Sequence, residues 1–267
     1  MTTTDATAAG TISIAGHTVP RMGFGAMQLR SAGPDAALTV LRRSVELGVR
    51  VIDTAWYYGG GDVVNRFIAQ ALRPYPADLV LATKAGARAD YDGHPPKPDY
   101  RPEQLRASNH RDRTVLGVDT VPLTHLRWMN SDNVFDGVSF DSAFDTMLEM
   151  QAEGRIGHVG LSNVTLDQLR RAQARGPVAS VSNMFSYGNQ ADTPTLEFCA
   201  ENGIPYLPWG PLGYGAADTP PVGQGQTATQ ARLAWLLARS PVTVVIAGTG
   251  SVGHLEENIA AGTWPSA

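Results

Sequence analysis

Apolar runs typical of buried strands alternate with stretches of helical periodicity along almost the whole chain, and this alternation constrains the fold more than any other feature. The strands are predicted near residues 22–25, 50–53, 79–83, 120–126, 156–161, 178–181, 204–207 and 242–247. The helices that follow them are predicted near residues 34–48, 62–72, 102–115, 140–152, 165–174, 193–202, 227–239 and 254–260. Such repeated β-then-α units close naturally into an α/β fold of the (β/α)8 TIM barrel type, with its functional site at the carboxyl ends of the strands.

The competing architecture, a doubly wound open sheet, is disfavoured because no Gly-x-Gly-x-x-Gly turn follows the first strand. Residues 11–20 alternate apolar with polar side chains about Gly16, which predicts a short N-terminal β-hairpin that caps one end of the barrel. No composition break marks a linker within the 267 residues. We therefore expect a single barrel domain over residues 11–267, preceded by a disordered tail over residues 1–10.

The charge and cysteine content exclude several classes of function. The net charge is −4 and the basic residues form no stripe, so a nucleic-acid partner is disfavoured. The single cysteine, Cys199, fits a reducing compartment, and no apolar run approaches the roughly 18 residues of a membrane span. The first ten residues lack the basic and apolar regions of a signal peptide, so we expect a cytoplasmic protein with no membrane partner. The oligomeric state is not indicated.

The stretch Val49–Gly59 predicts a buried strand that ends in an ionisable side chain. A side-chain period of two places Asp53 on the same strand face as Val51. Because burying an unpaired carboxylate costs several kcal/mol, we expect a cation beside it, and Lys84 at the end of the next apolar run is the candidate. Tyr58 follows the same strand, and a nearby ammonium favours the phenolate form, so Tyr58 would serve as a general acid toward a carbonyl oxygen.

These residues belong to short motifs that resemble those of the aldo-keto reductases. The motifs are Asp53-Thr54-Ala55-x-x-Tyr58-Gly59, Ala82-Thr83-Lys84, Gly157-His158-Val159-Gly160-Leu161-Ser162-Asn163 and Ala234-Trp235-Leu236-Leu237-Ala238-Arg239. The resemblance extends from about Gly16 to Asn258. It implies a barrel reductase that uses a nicotinamide dinucleotide without a Rossmann domain, with Tyr58 as the proton donor and Asp53 and Lys84 as the pair that tunes it.

The resemblance also implies a histidine at the end of the fourth barrel strand that orients the substrate carbonyl, and here the sequence departs from the family. An alignment without gaps places Arg127 at this position and His125 two residues earlier, on the same strand face. Some relatives have Asn-Leu-Arg where this chain has His125-Leu126-Arg127. We expect one of the two side chains to donate a hydrogen bond to the carbonyl.

Similarity to the family assigns a further set of residues to the cofactor. Ser162, Asn163 and Asn183 match positions that hold the nicotinamide carboxamide, and Trp209 matches an aromatic residue that stacks on the nicotinamide ring. The glycine-rich end of the last strand opens a helix, and helix amino termini bind phosphate through free backbone N–H groups. The expected cofactor-binding residues are Gly25, Ser162, Asn163, Asn183, Trp209, Pro211, Leu212, Gly248, Thr249, Ser251, His254, Glu257 and Asn258.

Two departures from the family bear on the cofactor. Gly248 and His254 stand where many relatives have the lysine and arginine that bind a 2′-phosphate, so we expect NADP(H) to be preferred over NAD(H) only weakly. The flexible segment between Leu212 and Thr227 stands where relatives carry a longer stretch across the dinucleotide. A barrel that uses no cofactor is the alternative that these departures leave open.

Aromatic residues near the expected mouth of the barrel, Trp56, Tyr57, Tyr91 and Trp128, are predicted to line an apolar substrate pocket. The helix near residues 102–115 is unusual, because its polar run from Asn109 to Arg113 has no apolar face. No metal site is expected, since the histidines are scattered and the one cysteine has no partner pattern.

The residues and the resemblance together favour an oxidoreductase that reduces an aldehyde or ketone, or catalyses the reverse oxidation, with NAD(P)(H). The second hypothesis is a cofactor-independent isomerase, dehydratase or cyclase that uses the same acid and base groups. The third is a non-catalytic dinucleotide sensor that binds a partner protein. The first hypothesis implies a small-molecule carbonyl substrate as the partner of this site.

Overall fold

Strands and helices alternate along the chain in the computed structural model, which describes residues 4–88, 97–213 and 218–264. The strands are β1 Thr11–Ile14, β2 His17–Pro20, β3 Phe24–Gly25, β4 Val51–Asp53, β5 Val80–Ala85, β6 Ala87–Arg88, β7 Lys97–Pro98, β8 Val121–Arg127, β9 Val134–Phe135, β10 Val138–Ser139, β11 Ile156–Ser162 and β12 Val181–Ser182. The α-helices are α1 Pro34–Glu46, α2 Val63–Leu72, α3 Pro102–Leu116, α4 Phe140–Ala152, α5 Leu166–Gln173, α6 Thr193–Glu201, α7 Ala228–Arg239 and α8 Val252–Ala260.

A curled sheet of parallel strands forms the centre of the fold. Its order is β3, β4, β5, β8, β11 and β12, and every neighbouring pair is parallel. Tyr206 forms parallel bridges to both Val181 and Thr243, and Val245 forms one to Met22 just before β3. These bridges join the two edges of the sheet, so the structure is the (β/α)8 barrel predicted from the alternation of strands and helices.

The last two barrel strands are shorter than predicted. Residues 204–207 and 242–247 form isolated bridges rather than continuous ladders. Pro205, Pro208 and Pro241 lie within or beside these segments, and a proline cannot donate a ladder hydrogen bond. The short two-stranded sheets β6–β7 and β9–β10 were not predicted; they follow β5 and β8 in loops at the carboxyl end of the barrel.

The hairpin β1–β2 closes the amino end of the barrel, as the sequence predicted. Its residues pair antiparallel, from Thr11 opposite Pro20 to Ile14 opposite His17. Ile14 and Val19 belong to one apolar cluster with residues that point into the barrel from several strands, among them Val51, Val80, Ala82, Leu123, Leu207 and Val244. A second cluster lies between the strands and the surrounding helices. The barrel interior is therefore packed and plugged at its lower end.

Residues 4–10, which belong to the segment expected to be a disordered tail, pack against the barrel in the structure. Residues Ala6–Ala9 form a 3-10 helix with Asp5 as its amino-terminal cap. The Ala6 N–H donates to the carbonyl of Leu47 at 2.8 Å, and the side chain of Ala6 is completely buried. A small side chain fits this space beside α1, so the segment gains contacts that its polar composition did not indicate.

Candidate active site

Asp53 and Lys84 form a buried ion pair at the carboxyl ends of neighbouring strands. Asp53 ends β4, and Lys84 lies two residues beyond its register partner Ala82, on the same face of β5. The Lys84 ammonium donates to Asp53 Oδ1 at 2.6 Å and to the backbone carbonyl of Thr54 at 3.1 Å. The two side chains are 6% and 4% exposed. The structure confirms the cation that a buried carboxylate required.

The charge of this pair is set by opposing effects. Burial raises the pKa of the Asp53 carboxyl, while the positive charges of Lys84 and Arg127 and the Lys84 hydrogen bond oppose that shift. A salt bridge in such a position contributes little to net stability, because desolvation offsets the attraction. The pair therefore fixes the Lys84 ammonium in place rather than adding appreciably to the free energy of unfolding.

Tyr58 lies in the turn that follows β4 and faces the same cavity. Its ring centroid is 5.2 Å from the Lys84 ammonium, and its backbone N–H donates to the Ala55 carbonyl at 3.0 Å. Gly59 has a φ of 80°, and a Cβ there would lie 2.4 Å from a methyl carbon of Val63. The glycine therefore permits the sharp turn that directs Tyr58 back over the end of the barrel.

A cavity of about 230 Å3 opens at this end of the barrel. Asp53, Tyr58, Lys84 and Arg127 all line it. Of the expected cofactor-binding residues, the described lining includes Gly25, Ser162, Trp209, Pro211, Leu212 and Gly248. Four of the five predicted catalytic residues and six of the thirteen predicted cofactor residues therefore line one cavity.

Arg127 and His125 differ in depth, although both lie on one face of β8. Arg127 lines the cavity, and its Nη1 donates to the Tyr57 hydroxyl at 3.0 Å. His125 does not line the cavity; it is fully buried, with its Nε2 2.9 Å from Ser180 Oγ. Burial and the nearby Lys84 charge lower the pKa of His125 to about 3, so its imidazole is neutral. Of the two predicted carbonyl donors, only Arg127 is placed to meet a ligand.

Three of the aromatic residues predicted to form the substrate pocket, Trp56, Tyr57 and Trp128, do not line this cavity. Trp128 is fully buried, stacked on Tyr100 with ring centroids 4.0 Å apart, because it points outward from β8 toward α4. Trp56 and Tyr57 are 6% and 7% exposed and pack beside Ala55 and Ala87. The prediction for Tyr91 lies outside the described residues.

Asn163, directly after β11, adopts a left-handed backbone conformation with a φ of 58°. Its Oδ1 accepts a hydrogen bond of 2.7 Å from the Trp209 indole, which fixes the orientation of the amide. A non-glycine residue held at positive φ costs of order 1–3 kcal/mol and often marks a functional position. Beside it, Ser162 lines the cavity and is 1% exposed. These two polar groups can hold a planar amide such as a nicotinamide carboxamide.

Asn183 was also expected to bind the carboxamide, but its own amide is used within the protein. Its Oδ1 accepts from the Val164 N–H at 3.1 Å, and its Nδ2 donates to the Val164 carbonyl at 2.7 Å and to Asp192 Oδ2 at 2.9 Å. Tyr206 donates to the same Asp192 oxygen at 2.6 Å. Asn183 is therefore a structural residue that holds the loop after β11, and the expectation of a cofactor contact is not supported.

Gly25 at the end of β3 and Gly248 after the last strand lie where the backbone leaves no space for a side chain. A Cβ on Gly248 would lie 2.2 Å from the Gly25 carbonyl oxygen, and a Cβ on Gly25 would lie 2.6 Å from the Ile246 carbonyl oxygen. The two strand ends could not approach each other with larger residues. The two glycines therefore shape the cavity wall whether or not a phosphate lies near them.

The remaining expected cofactor residues lie at the start of α8. Thr249 Oγ1 accepts from the Ser251 N–H at 3.1 Å, and the side chain of Ser251 does not cap the helix. Glu257 accepts a hydrogen bond of 2.6 Å from Thr227 on the facing end of α7. His254 is exposed and Asn258 is buried, so only part of this group faces solvent at the helix start.

A buried polar chain runs outward from the ion pair, and the sequence analysis did not identify it. Thr54 Oγ1 donates to Asn65 Oδ1 at 2.7 Å, and Asn65 Nδ2 donates to Asp112 Oδ1 at 2.7 Å. All three side chains are completely buried. Arg111, one residue before Asp112, donates to both carboxylate oxygens of Asp62 at 2.5 and 3.0 Å. The polar run in α3 therefore faces α2 and the catalytic strands.

Several cavity residues were missed because they carry no motif. Met27 and Gln28 follow β3 directly, and Gly210, Gly213 and Ile246 complete the described lining. Loops that follow barrel strands build the site, so position after a strand is the signal that would have found them.

No helix in the described ranges is long and apolar enough to cross a membrane. Within residues 4–88, 97–213 and 218–264, no three His, Cys, Asp or Glu side chains lie together so that they could bind a metal ion.

The comparisons with known proteins agree with the geometry. The profile of the Aldo/keto reductase family matches residues 21–220. The chain is 37% identical over 268 residues to the pyridoxine 4-dehydrogenase of Escherichia coli, covering 94% of this chain and 92% of the relative. The protein therefore belongs to the aldo/keto reductase family and is an oxidoreductase that acts on carbonyl compounds.

Solved structures share the fold at lower sequence identity. An aldo-keto reductase from Bacillus halodurans in its holo form is 21% identical with a TM-score of 0.81, over 96% of this chain and 92% of that one. An aldo/keto reductase from Klebsiella pneumoniae in complex with NADP and acetate is 20% identical with a TM-score of 0.75, over 94% and 89% of the two chains. These similarities establish the barrel architecture.

Proposed function

We propose that this protein reduces an aldehyde or ketone with NAD(P)H, or catalyses the reverse oxidation, and that Tyr58 is the proton donor. The observation that carries the proposal is the convergence of the Asp53–Lys84 ion pair and Tyr58 on one cavity. Reduction adds a hydride to the carbonyl carbon and a proton to the carbonyl oxygen. Tyr58 supplies that proton, and Lys84 stabilises the phenolate that remains.

A nicotinamide dinucleotide is the cofactor that the residues fit best. Ser162 lines the cavity, and Asn163 follows it directly with its amide oriented by Trp209, so the two residues would hold a carboxamide. When bound, the reduced nicotinamide supplies the hydride. Trp209 and Leu212 would bound the ring, and the start of α8 would lie toward the phosphates. The Klebsiella complex with NADP supports NADP(H), which we propose is preferred over NAD(H) by a small margin.

Arg127 takes the position of the carbonyl-orienting donor. It is half-buried in the cavity wall and forms no ion pair with a carboxylate within the described residues. Its guanidinium can donate to the carbonyl oxygen and to a second, negatively charged oxygen beside it. Pyridoxal has this arrangement. It forms when the hydroxymethyl group of pyridoxine beside the phenolic oxygen is oxidised, so its aldehyde lies next to that oxygen. With the similarity to pyridoxine 4-dehydrogenase, this makes a pyridoxal-like aromatic aldehyde the proposed substrate class.

The test combines cofactor binding with turnover. Purified protein is titrated with NADPH and with NADH by fluorescence, and pyridoxal reduction is followed by loss of NADPH absorbance. Tyr58→Phe should lower kcat at least about 100-fold while cofactor affinity stays within about twofold, because only the transferable proton is removed. Tyr75→Phe is the matched control, since Tyr75 donates to the Leu116 carbonyl at 2.7 Å on another part of the molecule.

Two outcomes would contradict the proposal. A Tyr58→Phe variant as active as the parent would remove Tyr58 from the chemistry. A protein that binds neither dinucleotide but still transforms a small molecule would favour the cofactor-independent enzyme, for which the short segment after Leu212 and the lack of cations at Gly248 and His254 are the supporting observations.

A further inference from the structure

The polar run in α3 has no role in the reaction described above, yet it is joined to the ion pair by consecutive hydrogen bonds. The Lys84 ammonium donates to the Thr54 carbonyl, the Thr54 hydroxyl donates to Asn65, and the Asn65 amide donates to Asp112. The three bonds are 3.1, 2.7 and 2.7 Å long. The chain spans β5, β4, α2 and α3, so it ties the catalytic strands to the helix layer.

Burial makes this chain rigid and sensitive to charge. Thr54, Asn65 and Asp112 are each 0% exposed, and Asp112 Oδ2 has no hydrogen-bond partner within the described residues. A carboxylate without a bound cation is costly to bury, and an unpaired buried oxygen adds to that cost. A well-packed helix would carry an apolar residue here at no such cost. A buried carboxyl at this position, hydrogen-bonded to Asn65, is therefore a candidate for a functional role.

We propose that Asp112 is a positioning residue for the reductase site: through Asn65 it fixes Thr54, and the Thr54 carbonyl fixes the Lys84 ammonium against Asp53. This inference rests on the proposed function, in which Lys84 tunes Tyr58. Within the described residues, the Lys84 ammonium donates hydrogen bonds to the Asp53 carboxylate and the Thr54 carbonyl. A shift of the Thr54 backbone would therefore change the direction of the ammonium toward the phenol.

The charge of Asp112 gives this arrangement a dependence on pH. Burial, with a smaller effect of the Asp62 charge, raises the pKa of Asp112 to about 7, against the opposing effects of the Asn65 hydrogen bond, the Thr83 hydroxyl and the Lys84 charge. The Asp62 carboxylate lies just before α2 and is itself bound by Arg111. Asp112 thus loses its proton near neutrality. The resulting negative charge partly offsets the ammonium that favours the Tyr58 phenolate.

The elements packed against α3 carry further charged and titratable groups. On β8, His125 is held neutral by burial. On α4, the carboxylates of Glu149 and Glu153 are both bound by Arg106 on the surface. Two buried carboxyls therefore act on Lys84: Asp53, which is bonded to it directly, and Asp112, which is joined to it through Asn65 and Thr54. The variant Asp112→Asn separates their effects.

The sequence offers a direct probe, because the chain contains only two lysines, Lys84 and Lys97. In protein labelled with 13C at lysine Cε, each lysine gives one NMR signal, and Lys97→Arg assigns them. The Lys84 signal should shift as the pH is raised from about 6 to about 8, because Asp112 ionises in this range. Asp112→Asn, which accepts the same hydrogen bond but cannot ionise, should abolish that shift. Lys97, on β7, is the internal reference.

Kinetics test the positioning itself. Thr54→Val keeps the shape of the side chain and removes its hydroxyl, so it should lower kcat about tenfold with little change in KM. Asp112→Asn should have the kcat of the parent enzyme at pH 6. Its kcat should no longer change as Asp112 of the parent ionises between about pH 6 and about pH 8. Asn109→Ala is the matched control: Asn109 is a buried polar residue of the same helix, bonded to Arg155 and Arg113. It should lower stability and leave both the NMR titration and kcat unchanged.

An unchanged Lys84 titration in Asp112→Asn, or an unchanged kcat in Thr54→Val, would overturn the proposal. Both variants preserve side-chain volume, so a folded protein is expected for each and is checked by circular dichroism. A parent enzyme that reduces no carbonyl compound would instead contradict the proposed function. The NMR titration would still decide whether Asp112 governs the environment of Lys84.

Discussion

At the scale of single residues, depth inside the barrel decides which polar groups meet a ligand. His125 and Arg127 project from the same face of β8, but two residues along a strand correspond to about 6.6 Å. That distance separates a guanidinium in the cavity wall from an imidazole that is fully buried beside Ser180. The imidazole is therefore part of the packed interior, and its neutrality is a property of the folded state.

This neutrality predicts a loss of stability in acid. The pKa of His125 is about 3 in the folded protein and about 6.5 when unfolded, so below pH 6.5 the unfolded chain binds a proton that the native state does not. The free energy of unfolding should fall by more than about 1 kcal/mol between pH 7 and pH 5 from this group alone. His125→Gln, which can still reach Ser180, should remove that part of the pH dependence in urea unfolding.

The control for this prediction is His110→Gln, since His110 is exposed on α3. It should retain the acid sensitivity of the parent protein. A His125→Gln variant that loses stability with falling pH as steeply as the parent would show that the buried imidazole is not the source.

A contact could be predicted from the sequence where the burial of one charged residue required an oppositely charged partner. A buried Asp53 needed a cation, and Lys84 was the available one. Contacts that depend on distant backbone could not be predicted in this way. Asn183 has the right residue type and follows a barrel strand, but Asp192 and Val164 use its amide. No local pattern shows that competition, because it depends on how the loops after two strands pack.

At the scale of elements, the closure of the barrel depends on two glycines. Gly25 at the end of β3 and Gly248 after the last strand approach so closely that a Cβ on Gly248 would lie 2.2 Å from the Gly25 oxygen. Gly248→Ala should therefore force the strand ends apart and lower the free energy of unfolding by about 2 kcal/mol or more. Thermal unfolding should show this loss, together with weaker cofactor binding.

The matched control is Gly253→Ala in α8. A Cβ at Gly253 would meet only Ser251 Oγ, at 3.8 Å, and alanine is favoured over glycine in a helix. This variant should be as stable as the parent or slightly more stable. Equal behaviour of the two alanine variants would mean that the strand ends can separate without cost.

Helices were easier to predict than strands. The bounds of α3 and α4 lie within about one residue of the predicted 102–115 and 140–152, because prolines, glycines and caps mark helix ends in the sequence. The strands near residues 204–207 and 242–247 were predicted from apolar runs, but their ladders are broken by prolines. The polar run in α3 was visible as an anomaly, and its buried partners on α2 were not, since they come from tertiary packing.

At the scale of the whole molecule, the hairpin β1–β2 acts as the floor of the barrel. Val19 is completely buried against the strands, whereas its neighbour Thr18 is exposed. Val19→Asp would place a carboxylate in this apolar cluster without a cation and should cost several kcal/mol. Thr18→Asp, one residue away, should change stability by less than about 0.5 kcal/mol. The urea midpoints of the two variants give the comparison.

A floor of this kind also restricts how the molecule exchanges its ligands. In the part of the chain that the structure describes, Ile14 and Val19 close the amino end of the barrel, and the cavity lined by Tyr58 and Arg127 opens at the opposite end. A dinucleotide and a carbonyl compound would therefore enter and leave through the same opening of the cavity.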